Sequence, residues 1–240
     1  MDKKLLITLF SISTLGHAVP PCGSDVNCAD DVAAVLDSQG VSDSENIITL
    51  SADAFEEEGL REEVLSLALR AYMTALDNGD TNKRIITVID FSMPSSDKRM
   101  WVIDLIDNTI LFKEHVAHGS GSGADQATSF SNIENSHQSS IGLLKTAETY
   151  IGKHGYSLKL DGLEPSWNGN ARDRYIVIHG ADYVSQAFVD RHGRLGRSWG
   201  CPALRREISK EIIDTIKGGS LIFAYYPEKS WLDNSTYLND

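Results

Sequence analysis

Residues 84–116 read RIITVIDFSMPSSDKRMWVIDLIDNTILFKEHV, and this stretch decides the fold class. It contains three short runs rich in β-branched and aromatic residues, at 84–91, 100–106 and 109–116. Such runs are typical of β-strands. The pair Asp107-Asn108 separates the last two runs, so a β-hairpin is predicted there. The centre of the chain is therefore expected to be mainly β.

Towards the C-terminus, further strands and one helix are predicted. The strand candidates are 142–151, 156–160, 175–178 and 220–226. Residues 207–217 place four isoleucines at helical spacing, and Gly218-Gly219 ends this short helix. Residues 119–138 are rich in Gly, Ser, Asn and Asp. This stretch is long for a structureless connection, which makes it a candidate functional loop.

Towards the N-terminus, residues 29–79 are predicted to be helical. Apolar residues recur at helical spacing from Leu60 to Ala75, and Asn78-Gly79 is a plausible helix stop. We therefore expect a helical prefix over 19–80, followed by the main domain over 81–240. The prefix could shield a cleft or only pack on the β domain.

The first 18 residues are typical of a secretory signal peptide. Lys3 and Lys4 precede an apolar run, 5–15, that is too short to span a bilayer as a helix. Small residues end the segment, and cleavage is expected after Ala18. The predicted product is periplasmic or secreted, without membrane insertion.

The formal net charge of −12 argues against two classes of binding partner. Nucleic-acid-binding proteins usually carry a basic surface, so a nucleic-acid partner is not expected. Docking on anionic lipid is disfavoured for the same reason.

The three cysteines divide into a pair and a single residue. In an exported protein, Cys22 and Cys28 could close a small loop or lie in a loose tail. Cys201 would remain a free thiol. A free cysteine is often a buried structural residue, but with a histidine elsewhere in the chain it is also a candidate nucleophile.

The residues around Cys201 favour a role as a nucleophile over that of a buried structural residue. His179 follows the apolar run 175–178, so a strand would present it at its C-terminal tip as a base. Pro202 has no N–H and cannot stabilise an oxyanion. The available oxyanion donors would be the backbone N–H groups of Trp199, Gly200 and Cys201. This layout suits acyl transfer.

Residues 175–203 resemble the L,D-transpeptidases of the YkuD type, which act on peptidoglycan. Their signature is a histidine with a small residue after it, a gap, and Ser/Thr-X-Gly-Cys. Here it reads His179-Gly180 and then SWGC at 198–201. The usual second histidine is Trp199, and the usual arginine two places after the cysteine is Ala203. These departures match a divergent branch, the murein L,D-transpeptidase catalytic domain proteins, which this chain resembles over about 84–226.

The resemblance implies an α+β, mainly β fold: a YkuD-like β-sandwich with a helix after the catalytic loop. It implies that Cys201 forms a thioester with a peptidoglycan stem peptide and passes it to an acceptor amine. Transfer to water would make the protein an L,D-carboxypeptidase instead. His179 would be the base, held by the Gly180 carbonyl, and Ser198 would support the loop. The chemistry needs no cofactor or metal. A non-catalytic cell-wall binding module that keeps the fold is the remaining alternative.

Several further residues are candidates for substrate binding: His118, Ser140, Tyr150, His154 and Arg197. The spacing of His115 and His118 fits no common metal-binding pattern. Arg172 and Arg174 could meet substrate carboxylates or pair with surface acids. Arg197, Arg205 or Arg206 could replace the missing arginine.

Overall fold

The computed structural model describes residues 4–7 and 48–239, with side chains described from residue 54. The chain divides into two compact units, residues 1–5 with 49–240 and residues 6–48, and all described side chains belong to the first. Apart from residues 4–7, the predicted signal peptide lies outside the described residues. So do Cys22, Cys28 and the first part of the predicted helical prefix.

Strands predominate over helices in the described residues. The strands are β1 (Lys4–Ile7), β2 (Ile48–Ser51), β3 (Ile85–Asp90), β4 (Met100–Asp104), β5 (Thr109–Glu114), β6 (Val116–Ala117), β7 (Gly142–Gly152), β8 (Gly155–Gly162), β9 (Val177–Ala181), β10 (Ala203–Arg205) and β11 (Leu221–Tyr225). The helices are α1 (Ala52–Glu57), α2 (Glu62–Asp77), α3 (Gln186–His192), α4 (Arg206–Ile216) and α5 (Lys229–Asn234). No helix in this part of the chain is long and apolar enough to cross a bilayer.

Nine of these strands form one mixed sheet in the order β5-β4-β3-β11-β7-β8-β9-β10-β6, while β1 and β2 pair separately. The two edge strands, β5 and β6, are joined by a single residue, His115. The sheet must therefore curl until its edges approach each other, which gives a nearly closed barrel. The predicted mainly β fold is confirmed, and in place of the predicted β-sandwich the structure has a single nine-strand mixed sheet that is nearly closed into a barrel.

Local sequence signals located most of the elements correctly. The predicted hairpin is β4–β5, which pair antiparallel, and Asn108 in its turn has a φ of 54°. The strand predictions at 84–91, 142–151, 156–160 and 220–226 correspond to β3, β7, β8 and β11. The predicted helix after the Cys201 loop is α4. Strand β10 and helices α3 and α5 were not predicted, because each is too short to show a periodic pattern.

Helix α4 fills the concave side of the sheet. It contacts β3 and also β8, β9 and β10, which lie on the other side of the strand order. Ile212, Ile213 and Ile216 are fully buried there. Full burial of such a side chain contributes about 1.5–3 kcal/mol, so the apolar face of α4 is a main source of cohesion.

Helix α2 packs on β3 and β11 through its apolar face. Its buried residues are Val64, Leu65, Ala68, Leu69, Ala71, Tyr72 and Ala75. At its start, the guanidinium of Arg61 lies 2.8 Å from the buried carboxylate of Asp90 at the end of β3. Helix α2 of the predicted helical prefix therefore packs on the sheet, whereas residues 48–51, which were predicted to be helical, form strand β2.

Candidate active site

His179 lies in the middle of β9, not at its tip. The strand runs from Val177 to Ala181, and His179 pairs with Ser157 of β8 on one side and Ala203 of β10 on the other. The predicted placement at a strand end is therefore wrong: pairing on both sides extends the strand past the apolar run. Tyr150 pairs with Ser157, so residues 150, 157, 179 and 203 form a row on one face of the sheet.

The ring of His179 is fixed by its own backbone neighbour. Its Nδ1 lies 3.1 Å from the carbonyl oxygen of Gly180, and the side chain is 1 % exposed. A carbonyl can only accept a hydrogen bond, so Nδ1 carries the proton and Nε2 keeps a lone pair. Burial, together with the nearby His154 and Arg206, lowers the pKa of His179, although the Gly180 carbonyl opposes this. The imidazole is therefore neutral at pH 7 and can accept a proton.

Cys201 opens onto the same cavity as His179. This cavity, of about 470 Å³, is called the Cys201 cavity below. The Sγ of Cys201 lies 3.5 Å from the carbonyl oxygen of Tyr175. Burial raises the pKa of the Cys201 thiol, while the N–H of Val177, the charge of Arg174 and its own N–H act in the opposite direction. The resting group is a neutral thiol that needs a base.

Hydrogen bonds to two serines hold the loop around Cys201. The hydroxyl of Ser198 donates to the Cys201 carbonyl at 2.6 Å and accepts from the Gly200 N–H at 3.1 Å. The hydroxyl of Ser139 donates to the Gly200 carbonyl at 3.2 Å and accepts from the N–H of Gly119 at 3.0 Å. The loop geometry is thus fixed from both sides.

One predicted oxyanion donor is already engaged. Because the Gly200 N–H is directed at the Ser198 hydroxyl, it is not free to bind an oxyanion, and its assignment is corrected. The N–H groups of Trp199 and Cys201 remain as candidate donors. The sequence could not show this, since the competing acceptor is a side chain two residues earlier in a non-regular loop.

Three of the predicted substrate-binding residues, Tyr150, His154 and Arg197, line the Cys201 cavity. The ring of His154 stacks on that of His179, with centroids 4.3 Å apart and an interplanar angle of 21°. The predicted functional loop 119–138 also reaches the cavity, through Glu134, Asn135 and His137. His137 stacks on Trp199, with centroids 4.8 Å apart and planes 6° from parallel.

The structure places His118 and Ser140 away from the Cys201 cavity. His118 is fully buried beneath the loop, and its Nδ1 accepts a hydrogen bond from Arg99 at 2.7 Å. Burial and the charge of Arg99 lower the pKa of His118 to about 4. Ser140 is also buried, and its hydroxyl accepts from Arg174 Nη1 at 2.7 Å. Neither side chain lines the Cys201 cavity.

A family model described as the L,D-transpeptidase catalytic domain matches residues 56–225. The chain belongs to this family. No curated protein matches the chain.

Solved structures, two of them described as L,D-transpeptidases, resemble this chain at low identity. An L,D-transpeptidase from Mycobacterium smegmatis is 13 % identical, with a TM-score of 0.36, over 60 % of this chain and 59 % of that one. An L,D-transpeptidase from Stackebrandtia nassauensis is 15 % identical, with a TM-score of 0.36, over 82 % and 88 %. The cell shape determining protein Pgp2 from Campylobacter jejuni is 13 % identical, with a TM-score of 0.39, over 61 % and 52 %. The chain thus spans about three fifths of the length of the mycobacterial protein.

Ala203 marks a departure from the usual L,D-transpeptidase signature. It is fully buried and lies beside His179 in the row across the sheet. Three arginines were considered as replacements for the arginine that usually stands at position 203. Arg205 forms an ion pair with Glu114, and Arg206 forms one with Asp182. Of the three, Arg197 alone lines the cavity.

The sequence did not decide whether Arg172 and Arg174 face the substrate or pair with surface acids, and the structure separates the two. Arg174 lines the Cys201 cavity, whereas Arg172, two residues earlier, pairs with Glu148 and Asp161 on the surface. Nothing in their spacing separates the two, because both precede β9 in the same loop. In the described part of the chain, no group of three or more His, Cys, Asp or Glu side chains is placed to hold a metal ion.

Proposed function

We propose that this chain is an exported L,D-transpeptidase that acts on peptidoglycan stem peptides. The observation that carries the proposal is that Cys201 and His179 open onto one cavity. Nδ1 of His179 donates a hydrogen bond to the Gly180 carbonyl, which leaves Nε2 free to act as the base. Membership of the family supports the choice of substrate. The apolar segment at the N-terminus supports export.

In the first half-reaction, Nε2 of His179 takes the proton of the Cys201 thiol. The sulfur attacks the carbonyl carbon of the peptide bond between an L-centre and a D-residue. The tetrahedral oxyanion collapses to a thioester, and the amine of the D-residue leaves with the proton from the imidazolium. Backbone N–H groups of Trp199 and Cys201 would stabilise the oxyanion, and each such donor is typically worth about 3 kcal/mol of barrier.

In the second half-reaction, an acceptor amine attacks the thioester carbonyl. His179 removes a proton from the amine, a new amide bond forms, and the thiol is regenerated with that proton. If water attacks instead, the product is a shortened stem with a free carboxylate. Both outcomes use the same acyl-enzyme.

The decisive experiment is incubation of the protein, from which the predicted signal peptide has been removed, with purified sacculi, followed by muropeptide analysis. Cross-links are expected with the wild type and none with Cys201→Ala or His179→Ala. His192→Ala is the matched control, because His192 is exposed on α3 and contacts only Phe188 among aromatic rings of the described residues. Intact-mass spectrometry should show a carbapenem adduct that Cys201→Ala lacks. No adduct and no turnover would overturn the proposal.

Product analysis also separates the alternatives. Shortened stems with no cross-links, in the presence of an acceptor stem, would identify an L,D-carboxypeptidase. Retention on sacculi that survives Cys201→Ala, with no turnover by the wild type, would identify a binding module.

A further inference from the structure

The guanidinium group of Arg174 lies beside the Cys201 loop. Arg174 lines the Cys201 cavity, and the next residue, Tyr175, supplies the carbonyl that contacts the Cys201 thiol. A Cβ placed on Gly200 would lie 3.4 Å from Arg174 Nη2, so the guanidinium is in contact range of the residue that precedes the nucleophile.

All the hydrogen bonds of this guanidinium go to uncharged oxygens of the segment 131–140. Nη1 donates to the Ser131 carbonyl and, at 2.7 Å, to the Ser140 hydroxyl. Nη2 donates to the Ser136 hydroxyl at 3.2 Å and to the Gln138 carbonyl at 2.6 Å. The four Nη hydrogens are therefore used within the protein, which fixes the group but leaves it no Nη donor for a substrate.

The charge of Arg174 is not neutralised by a carboxylate within the described ranges, in contrast to Arg172, Arg205 and Arg206. A half-buried cation bound only to neutral groups keeps its attraction for an anion, because little solvent screens it. Burial lowers the pKa of Arg174, and the Cys201 thiolate raises it. Conversely, burial raises the pKa of the Cys201 thiol, and the charge of Arg174 lowers it.

We propose that Arg174 is a positioning residue whose charge stabilises negative charge on Cys201 when the thiol is deprotonated for attack. It also ties the segment 131–140 to the nucleophile loop. This inference rests on the proposed function, in which Cys201 is the nucleophile. Arg174 acts through Cys201 and is not expected to bind the substrate.

Other titratable groups line the same cavity and would also influence Cys201: His137, His154, His179, Glu134, Asp173, Lys153 and Arg197, besides Tyr150, Tyr175 and Tyr183. Their signs are mixed. A test of Arg174 must therefore separate the effect of its charge from a general change in the cavity.

Alkylation of Cys201 by two reagents makes this separation. Neutral iodoacetamide and anionic iodoacetate each form a carbon–sulfur bond with the thiolate and release iodide. Their rates are measured between pH 7 and 8 from the mass of the Cys201 peptide. Arg174→Gln should slow the iodoacetamide reaction about tenfold, because loss of a neighbouring cation raises the pKa of the Cys201 thiol and lowers the fraction of thiolate at these pH values. The iodoacetate-to-iodoacetamide rate ratio should fall by a further factor of about three, since the reagent loses an attractive charge.

Two variants serve as controls. Arg174→Lys keeps the charge and should retain the wild-type ratio, and Arg172→Gln removes an exposed arginine of the same loop and should change neither rate. An unchanged iodoacetamide rate or a wild-type ratio in Arg174→Gln would overturn the proposal. A ratio in Arg174→Lys as low as that in Arg174→Gln would do so as well. If Arg174→Gln does not fold, the lysine variant still decides, since a lowered ratio there contradicts a role for the charge.

Alkylation needs no peptidoglycan, so the result does not depend on turnover. If Arg174→Gln slows alkylation as expected but the wild type processes no muropeptide, only the proposed function is contradicted. Muropeptide turnover that is accompanied by unchanged alkylation in Arg174→Gln contradicts the role of Arg174 alone.

Discussion

At the scale of single residues, the stacked pair of His154 and His179 is central to the site. His154 lies in the two-residue turn between β7 and β8, so the tip of this hairpin covers the proposed base. The flat contact restricts rotation of the His179 ring, and the Gly180 carbonyl fixes its proton on Nδ1. His154 also lowers the pKa of His179, after the larger effect of burial. Orientation and basicity of His179 thus depend on a residue from another hairpin.

His154→Ala should therefore impair acylation of Cys201, whereas His154→Phe should preserve most of it at neutral pH. The alanine variant removes the stacking surface and admits water, so the pKa of His179 should rise towards its ordinary value. The acid limb of the acylation rate, measured with a carbapenem by mass spectrometry across pH 5–8, should move to higher pH. Superimposable profiles for the wild type and His154→Ala would show that the stack has no role.

At the scale of elements, the site is assembled where β9, β10 and the Cys201 loop meet. Gly200 has a φ of 119°, which favours glycine, and the space for a side chain is absent there. A Cβ at this position would lie 2.8 Å from the Gln138 carbonyl and 2.9 Å from Ile176 Cδ1. The loop can therefore hold Cys201 in place only with glycine before it.

Gly200→Ala should lower the free energy of unfolding by about 1–3 kcal/mol and slow Cys201 acylation at least tenfold, because both the backbone and its neighbours must shift. Gly193→Ala is the matched control. Gly193 also has a positive φ, 70°, but a Cβ there meets nothing within 4 Å. Its variant should lose only about 1 kcal/mol and acylate at the wild-type rate. Denaturant unfolding measures the stability of each variant, and the carbapenem assay measures its acylation rate. Equal stability and equal acylation rates in the two variants would contradict a special requirement for glycine at position 200.

At the scale of the whole molecule, a buried network beneath the Cys201 loop couples stability to pH. Arg99 and His118 are both fully buried, and Arg99 also donates to the carbonyls of Met93 and Val116. Burial, followed by the charge of Arg99, lowers the pKa of His118 to about 4. The carbonyl of His118 accepts from the N–H of Ser198, so this network supports the loop directly.

Acid should therefore destabilise the wild type more than a variant without this histidine. The unfolded chain binds the His118 proton at its ordinary pKa near 6.5, and the folded chain only near 4. Stability from this group is complete above pH 6.5 and is lost as the pH falls towards 4, by about 3 kcal/mol. Denaturant unfolding at pH 7 and pH 4 should show this loss in the wild type and in His192→Gln, an exposed control, but not in His118→Gln. Equal acid sensitivity of all three proteins would exclude His118 as the cause.

The sequence alone determined the hairpin β4–β5, the helix α4, the pairing of Cys201 with His179 as candidates and the family. Turn chemistry, periodicity and short motifs depend on residues that are close along the chain, and a sequence displays these directly. Only the tertiary structure decided that the sheet is one curled layer, that His179 is central in β9 and that His118 and Ser140 lie away from the cavity. It also distinguished Arg174 from Arg172. These features depend on strand pairing, burial and charge between residues far apart in the chain, such as Ala203 with His179 and Arg174 with Ser140.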